Sequence, residues 1–359
     1  MTDPVEPDRL PGAPHPRETA ELFGQSAAET RFLEAAASGR LHHAWLLTGP
    51  AGVGKATLAW RIARHLAAGT PTLQMPADHP VFRQAAALAS PQIFLCRRPW
   101  DDKTERLRTA ITVDEIRALK TFFQLSAADA GWRVAIIDSA DEMTGSAANA
   151  LLKILEEPPA RAVLLLVSHR PAALLPTLRS RTRELRCAPL APADLAAALE
   201  AAGAPPGADA PALAALAQGS VGAAFRLAAE GGVERYAEIA ALLASPPLDR
   251  RRLVALADGL GGRDATRYAL LLELTRIALG RLALAGAGAD IAPLDNAEAA
   301  AMARLAATPA QGRLWAELAT RIAERTTHAR AVNLDPAQVI LDTFLLIDAA
   351  AAEALAHAA

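Results

Sequence analysis

Cysteine is nearly absent from this sequence of 359 residues, and the two that occur, Cys96 and Cys187, lie far apart. Two cysteines cannot build a disulfide framework or a four-cysteine zinc site, so we expect neither disulfides nor bound zinc. Chains poor in disulfides are typical of reducing compartments. We therefore expect a cytoplasmic protein.

An excess of basic residues is lacking as well. The 37 Lys and Arg residues face 39 Asp and Glu residues, which leaves a formal net charge of -2. A surface that attracts nucleic acid over its whole area needs an excess of Lys and Arg. Any contact with DNA must therefore be local or shared with partner proteins. Lysine is scarce, with four against 33 arginines, yet Lys55 and Lys153 both fall inside motifs described below.

Long apolar runs are also missing. The longest run, Ala162 to Val167, is far shorter than the roughly 20 residues of a membrane-spanning helix. Met1 to Pro16 is rich in proline and acidic residues and has no apolar stretch of the kind found in secretory signals. We expect residues 1–16 to form a flexible arm, and we expect no membrane contact.

Several short segments are apolar throughout and alternate with segments of helical periodicity. The predicted strands are Ala44–Thr48, Ile93–Leu95, Arg133–Asp138, Ala162–Ser168 and Thr182–Cys187. The predicted helices between them are Arg17–Arg40, Ala56–Ala68, Thr112–Leu125 and Ser146–Glu156, with an irregular region at Pro71–Trp100. Fully apolar strands imply a parallel sheet covered on both faces. Residues 17–188 are therefore predicted to form one α/β domain.

The strand signal disappears beyond Pro189, where only helical periodicity remains. Short helices are predicted at Pro192–Ala202, Pro211–Ala217 and Val221–Ala229. Longer amphipathic helices are predicted near residues 234–244, 248–258, 264–285, 296–306, 310–330 and 335–357. The sequence thus predicts a small helical domain over 189–231 and a second helical domain over 232–359, in line with the two or three domains that the length suggests.

A phosphate-binding loop is predicted between the first strand and its helix. The segment from Gly49 to Lys55 matches G-x-x-x-x-G-K, with candidate phosphate contacts at Gly49, Gly52, Val53, Gly54 and Lys55. Glycines let backbone N–H groups turn toward phosphate, and the lysine reaches the β and γ phosphates. About 0.01–0.02 chance matches are expected in a chain of this composition, so a fortuitous glycine-rich helix start is the weaker alternative.

The metal side of this loop is damaged. The position after the lysine should carry a Ser or Thr hydroxyl that ligates Mg²⁺, and Ala56 stands there instead. Thr57 follows, but a shift of one residue on a helix rotates a side chain by about 100°, so we do not expect Thr57 to replace it.

A second element of such sites is an apolar strand that ends in an aspartate which holds Mg²⁺, followed in hydrolysing proteins by a glutamate that activates water. Here Asp138 ends the strand and Ser139 follows it, so the general base is missing. Asp141 and Glu142 are close in sequence, and their simplest role is at a solvated helix start. Nucleotide binding is conceivable, but hydrolysis within this chain is not expected.

Three further segments resemble one specific family. Residues Asn149–Pro159 (NALLKILEEPP), Leu164–His169 (LLLVSH) and Leu175–Arg181 (LPTLRSR) are similar to the core of bacterial clamp-loader gamma and delta prime subunits. Leu22–Gln25, Gly39–Ala44 and Asn333–Pro336 are similar too. The resemblance covers roughly residues 17–230 and continues more weakly into the helical C-terminus.

The resemblance implies a RecA-like AAA+ domain, a small helical lid and a helical collar through which five subunits form a ring that opens the sliding clamp. In that family an arginine finger in a Ser-Arg-Cys motif reaches the ATP site of a neighbouring subunit, and Ser180, Arg181 and Thr182 match it here. The composition alone would favour an ordinary surface arginine. Ser168 and Arg226 lie near the family's two sensor positions, where each is equally compatible with an ordinary polar role.

Two departures decide which subunit type is expected. Family members commonly carry a four-cysteine zinc module, and Pro71–Trp100 has only Cys96. Gamma-like motors have an intact phosphate loop and Asp-Glu, whereas this chain has Ala56 and Ser139. The resemblance therefore implies a delta prime-like subunit without ATPase activity of its own, inside the DNA polymerase III holoenzyme. ATP or ADP would bind weakly or vestigially, and Mg²⁺ binding stays open.

The implied partners are the clamp-loader gamma/tau and delta subunits, and, through the assembled complex, the sliding clamp and primer-template DNA. Two other functions stay open from the residues. An autonomous ATPase of the gamma or helicase type would need Thr57 and Asp141 to rescue metal binding and water activation. A small-molecule phosphotransferase would leave the helical C-terminal third without a role.

Overall fold

The computed structural model describes residues 6–124, 131–258 and 265–356. They fall into two compact units: one contains the described residues up to Gly207 together with Ala217–Phe225, and the other contains Ala208–Leu216 and the residues from Arg226 onward. Residues 1–5 of the predicted arm, the predicted helix end at Leu125, the predicted helix start at 264 and the helix end at 357 lie outside the described residues. The division at 1–16, 17–188, 189–231 and 232–359 stays a prediction.

The first unit is built on a five-stranded parallel sheet with the strand order β2-β5-β6-β1-β7. Its strands are β1 (Ala44–Thr48), β2 (Ile93–Cys96), β5 (Arg133–Asp138), β6 (Ala162–Val167) and β7 (Arg183–Arg186). A separate antiparallel hairpin is formed by β3 (Trp100–Asp101) and β4 (Arg106–Leu107). The predicted parallel α/β sheet is confirmed, because every residue of β1 and β6 is buried, as the apolar runs indicated.

Helices cover both faces of this sheet. The helices of the first unit are α1 (Ser26–Ala37), α2 (Lys55–Ala68), α3 (Pro80–Ala86), α4 (Val113–Gln124), α5 (Gly145–Glu156), α6 (Pro176–Arg179) and α7 (Pro192–Ala201), with α8 (Ala210–Ala217) and α9 (Val221–Ala229) divided between the units. On one face Leu46, Ile137 and Leu166 share a core with the apolar sides of α4 and α5. On the other face Trp45 packs edge-to-face on Phe32 of α1, with ring centroids 5.3 Å apart.

The predicted helix at Arg17–Arg40 is too long, because α1 begins only at Ser26. Backbone carbonyls before α1 accept hydrogen bonds from α2 instead of from their own helix. Arg64 donates to the carbonyls of Arg17 (3.0 Å) and Thr19 (2.9 Å), and Arg61 donates to another carbonyl in this segment. These tertiary bonds use acceptors that a longer α1 would need.

The region predicted as irregular, Pro71–Trp100, contains the short helix α3. Its N-cap is His79, whose ring nitrogen accepts a hydrogen bond from the N–H of Val81 (3.2 Å). Histidine is outside the usual set of N-cap residues, so the sequence carried no ordinary signal for a helix start there.

The second unit is helical, as predicted for the C-terminal region. Beyond α9 its helices are α10 (Gly232–Leu243), α11 (Arg250–Asp258), α12 (Ala265–Gly286), α13 (Asn296–Leu305), α14 (Pro309–Ala331) and α15 (Pro336–Ala356). α12 and α14 approach closely, since a Cβ on Gly286 would lie 2.6 Å from the Cα of Gly312. A buried polar cluster ties α12 to α13: the guanidinium of Arg281 binds both carboxylate oxygens of Glu298 at 2.6 and 3.0 Å.

Across the residues that the structure describes, none of the helices is both long and apolar enough to cross a lipid bilayer.

Candidate functional site

The predicted nucleotide-binding residues surround the ends of three adjacent parallel strands. Register places Leu47 of β1, Val167 of β6 and Asp138 of β5 in one row. The next residues along these strands, Thr48, Ser168 and Ser139, therefore lie together at the carboxyl edge of the sheet. Open parallel sheets bind ligands at this edge. The structure thus brings the phosphate loop, the acidic strand end and Ser168 into one site.

The backbone of the phosphate loop depends on its glycines. Gly49, Gly52 and Gly54 have φ angles of 136°, 75° and 98°, a region that side chains with a Cβ rarely enter. Space is limiting too, because a Cβ on Gly49 would lie 2.2 Å from the carbonyl oxygen of Cys187. The loop then opens α2, whose N-terminus carries unpaired N–H groups and a partial positive charge. This is the geometry of a phosphate cradle.

Lys55, the last motif residue, is buried, with 2% of its surface exposed. Its ammonium group donates to the carbonyl oxygens of Gly49 (2.7 Å) and Pro50 (2.5 Å). Burial lowers the pKa of this ammonium to about 8, although Cys187, Asp138 and Asp141 oppose the change. The group is therefore charged at neutral pH, but two of its three donors bind its own loop. A bound phosphate would have to replace those carbonyls.

Ala56 and Thr57 occupy the positions at which a hydroxyl ligand for Mg²⁺ was sought. Ala56 is the second residue of α2 and has no hydroxyl, while Thr57 is partly exposed one position farther along the helix. Helical geometry directs the two side chains about 100° apart. The position after Lys55 therefore has no hydroxyl, and the geometry gives no support for Thr57 as a replacement ligand.

Asp138 at the end of β5 is buried. Burial raises the pKa of its carboxyl to about 7, and repulsion from the Asp8 carboxylate adds to the change. The hydroxyl of Ser139 donates to Asp138 at 3.3 Å and lies 3.0 Å from Nε2 of His169. Metal ligation needs the ionised form of a carboxyl, so Mg²⁺ binding here would have to displace a proton from part of the molecules. The acidic strand end therefore offers neither a fully charged metal ligand nor a glutamate base.

Ser168 is completely buried directly after β6, and its N–H donates to the Leu47 carbonyl (3.0 Å). Asp141 turns back toward this strand end and accepts the N–H of His169 at 2.9 Å. Burial alone would raise the pKa of Asp141, but hydrogen bonding, first of all from the His169 N–H, outweighs burial and lowers it. Asp141 therefore stabilises the turn at Ser168, which leaves it badly suited to activate water.

His169 is a site residue to which the sequence assigned no role, although it lies in the Ser-His pair of the family-like segment. Burial lowers the pKa of His169, and the positive charge of Lys55 lowers it further. The imidazole is therefore neutral at pH 7 and can share a hydrogen bond with Ser139, the residue that stands where hydrolysing relatives of this site have a glutamate.

Gln25 is a second residue whose role the sequence did not indicate. Its side-chain amide donates to the carbonyls of Val53 (2.9 Å) and Ala188 (2.8 Å), and its oxygen accepts the Ala188 N–H (3.1 Å). It therefore ties the phosphate loop to the chain beyond β7. The one sequence feature that singled out Gln25 was its position in the family-like segment Leu22–Gln25. That segment could not predict its hydrogen-bond partners, which lie 28 and 163 residues away.

The loop has a further internal partner at the start of α9. The hydroxyl of Ser220 donates to the Ala51 carbonyl (2.8 Å), and the N–H of Gly222 donates to the Gly52 carbonyl (3.2 Å). The fit is tight, since a Cβ on Gly52 would lie 2.4 Å from the Ser220 hydroxyl oxygen. The beginning of α9 thus fixes the carbonyl side of the phosphate loop.

Arg181 lies between α6 and β7, away from this pocket. β7 runs parallel to β1, and Arg186 at its end is level with Thr48. Residues before β7 therefore lie at the opposite edge of the sheet from the phosphate loop. Arg181 lies in the turn two residues before β7, and the four residues of β7 correspond to about 10 Å along the strand direction.

The guanidinium of Arg181 is partly exposed, at 38% for the side chain. It pairs with Glu156 at 2.9 Å and donates to the Thr177 carbonyl at 3.1 Å. Ser180 is exposed, and its hydroxyl donates to the same carbonyl at 3.1 Å. Arg181 can therefore be reached by a neighbouring molecule.

Arg226, the other predicted sensor, belongs to the second unit. Its guanidinium pairs with Glu273 there, at 2.6 and 2.8 Å from the two carboxylate oxygens. A role of Arg226 toward nucleotide stays a prediction.

Comparisons with known proteins agree with the motifs. Residues 24–191 match the family model described as DNA polymerase III, delta subunit. DNA polymerase III subunit delta' of Pseudomonas aeruginosa is 38% identical over 145 residues, which are 40% of this chain and 43% of that protein. DNA polymerase III subunit gamma/tau of Mycobacterium tuberculosis is 33% identical over 171 residues, which are 46% of this chain and 28% of that protein.

A solved structure of a DNA polymerase III gamma subunit-related protein from Thermotoga maritima aligns with 91% of this chain and 99% of its own, at 15% identity and a TM-score of 0.44.

The curated delta' relatives are matched over about two fifths of their own length, 43% for the Pseudomonas aeruginosa protein and 42% for that of Escherichia coli. Residues 24–191, which match the family model, include the phosphate loop, the acidic strand end and the Ser-Arg-Thr segment. Over residues 24–191 the chain is similar to the delta subunit family of DNA polymerase III, and its matches among curated proteins include subunits named delta'.

Proposed function

We propose that this protein is a non-hydrolysing AAA+ subunit of the DNA polymerase III clamp loader, and that it supplies Arg181 to the ATP site of a neighbouring subunit. In this role it helps to load the sliding clamp onto primed DNA. Its partners would be the gamma/tau and delta subunits, with the clamp and primer-template DNA contacted through the assembled complex.

The observation that carries the proposal is the contrast between the two edges of the sheet. At the carboxyl edge, the chain lacks the Mg²⁺ hydroxyl at Ala56 and the general base at Ser139. At the other edge, Arg181 is accessible and lies far from its own phosphate loop. A planar guanidinium stabilises charge that develops on a γ-phosphate, and such fingers contribute large factors to the rate of phosphoryl transfer.

The pocket of this chain retains the shape for a nucleotide but not the chemistry. The loop from Gly49 to Gly54 and the start of α2 would hold phosphates, and Lys55 would pair with them if released from its own carbonyls. The donor set for Mg²⁺ is incomplete, because Ala56 has no oxygen ligand to add to the Asp138 carboxylate. We therefore propose weak binding of ATP or ADP without turnover.

The helical second unit supports a role in assembly. It is built from long amphipathic helices, and large apolar side chains such as Leu284, Leu334 and Leu345 are about half exposed. We propose that residues 232–359 form the collar through which the subunits associate.

The decisive experiment is a reconstituted loader that carries Arg181→Ala in this subunit. We expect the ATPase rate stimulated by clamp and primed DNA to fall by at least tenfold, with the complex still assembled on size-exclusion chromatography. Arg179→Ala is the matched control, because it removes an exposed arginine two residues away. Normal turnover with Arg181→Ala would exclude the finger, and Lys55-dependent ATP hydrolysis by the isolated chain would favour an autonomous ATPase instead.

A further inference from the structure

The described part of the N-terminal arm, residues 6–17, is fixed to the first unit by buried charges. We name these residues the N-terminal strap. The carboxylates of Glu6 and Asp8 have side-chain exposures of 7% and 5%, which is unusual for acidic residues near a chain terminus. Buried carboxylates persist only where partners compensate their lost hydration.

Arg97 is the partner that the two carboxylates share. Its guanidinium binds Glu6 at 2.9 Å and makes a second, shorter contact with Asp8. Within the strap, Arg17 also pairs with Glu6 at 2.7 Å, and Nε2 of His15 lies 3.3 Å from Asp8. Burial alone would raise the pKa of both carboxyls, but the hydrogen bonds from these partners lower it, so both are charged.

The position of Arg97 relates this cluster to the nucleotide pocket. Arg97 directly follows β2, and β2 pairs with β5 so that Cys96 is level with Ile137. Arg97 is therefore level with Asp138, on the adjacent strand. Asp8 binds Arg97, so the Asp8 carboxylate lies beside this strand end. One end of the strap thus lies at the acidic strand end.

The strap continues toward the phosphate loop. A Cβ on Gly12 would lie 3.6 Å from the ring of Phe225 in α9, the helix whose first turn binds the Ala51 and Gly52 carbonyls. Between Asp8 and Gly12 the chain therefore passes from the acidic strand end to the helix that holds the loop. These two contacts connect the strap to the acidic strand end and to the helix whose start contacts the phosphate loop.

We propose that the N-terminal strap is an autoinhibitory cover over the nucleotide pocket, closed by the ion pairs of Arg97 with Glu6 and Asp8. The inference rests on the proposed function in one respect, namely that the Gly49–Lys55 loop can still hold phosphates. If only a small fraction of the protein is in the open state that can bind nucleotide, the apparent affinity is lowered in proportion to that fraction. Opening the strap should therefore raise the apparent affinity for nucleotide. Because these ion pairs are largely buried, removal of Arg97 takes from Glu6 and Asp8 the partner they share and leaves them to partners within the strap itself, which favours the open strap.

The test is a titration of the full-length chain with a fluorescent ADP analogue in EDTA, followed by anisotropy. We expect Arg97→Gln to bind at least tenfold more tightly than the wild type, and a Lys55→Ala substitution added to it to abolish the gain. Arg97→Lys keeps the charge and should stay within about threefold of the wild type. Arg108→Gln, which removes an exposed arginine from the pair with Asp101, is the matched control and should change nothing.

A second variant, Glu6→Gln with Asp8→Asn, breaks the same pairs from the strap side and should reproduce the gain if Arg97→Gln proves unstable. Faster trypsin cleavage after Arg9 would report the opened strap independently of any ligand. Equal affinity of the wild type and both ion-pair variants overturns the proposal, and so does a lack of binding by all of them. Neither outcome touches the role of Arg181, which is measured as turnover in the assembled loader.

Discussion

Asp138 allows the electrostatics of the acidic strand end to be tested through stability. Burial raises the pKa of its carboxyl to about 7, against an ordinary value of 3.8, with repulsion from Asp8 as a further cause. Between pH 3.8 and 7 the folded protein keeps a proton that the unfolded chain releases, so the free energy of unfolding falls as pH rises through this window. The values differ by about 3.2 (7 − 3.8), which at 1.36 kcal/mol for each pH unit amounts to about 4 kcal/mol above pH 7.

We expect Asp138→Asn to remove this cost, because an amide keeps the shape and the acceptor for Ser139 without ionising. In chemical denaturation followed by tryptophan fluorescence, the variant should exceed the wild type by about 2 kcal/mol at pH 5 and about 4 kcal/mol at pH 8. Asp114→Asn, whose side chain is 71% exposed, is the control and should stay within about 0.5 kcal/mol at both pH values. An equal gain at both pH values, or a loss at pH 8, would refute the burial argument.

Two further predictions concern the helical second unit. Gly312→Ala should lower the thermal midpoint of that unit, because its Cβ would lie 2.9 Å from a backbone carbonyl of α12. We expect calorimetry to show a loss of about 1–3 kcal/mol in the free energy of unfolding. An unchanged midpoint would contradict the close packing. Glu298→Ala should cost about 3–5 kcal/mol, because it leaves the buried Arg281 guanidinium without its carboxylate, and a partial recovery is expected when Arg281→Met is added.

Much of the fold was predictable because its signals are local. A strand buried on both faces is expected to be apolar along its length. β6 is apolar throughout, and β1 and β5 are apolar except at their ends, Thr48, Arg133 and Asp138. The start of α1 was predicted wrongly because the backbone before it is held by Arg61 and Arg64, more than 40 residues away. No local pattern records that an arginine elsewhere will occupy a carbonyl.

The candidate site likewise contains some residues that local sequence indicated and others whose roles depend on distant contacts. The glycines of the phosphate loop are a local signal, because positive φ angles select glycine at fixed spacing. The groups that hold the loop, Gln25 and Ser220, come from distant segments and are typical surface residue types until their contacts are known. The ion pairs of Glu6 and Asp8 with Arg97 were hidden for the same reason, since acidic residues in a proline-rich arm ordinarily indicate a flexible segment.

The internal partners of the pocket also bear on what it can do. A buried ammonium at Lys55 with a pKa lowered to about 8 costs stability at neutral pH, and an unpartnered one would cost more. Two loop carbonyls bind that ammonium, Ser139 binds Asp138, and the start of α9 binds the carbonyl side of the loop. Lys55, Asp138 and the carbonyl side of the loop therefore already have partners within the chain. A loop held this way keeps its shape without ligand, which is the property we expect of a subunit that contributes to catalysis from the opposite edge of its sheet.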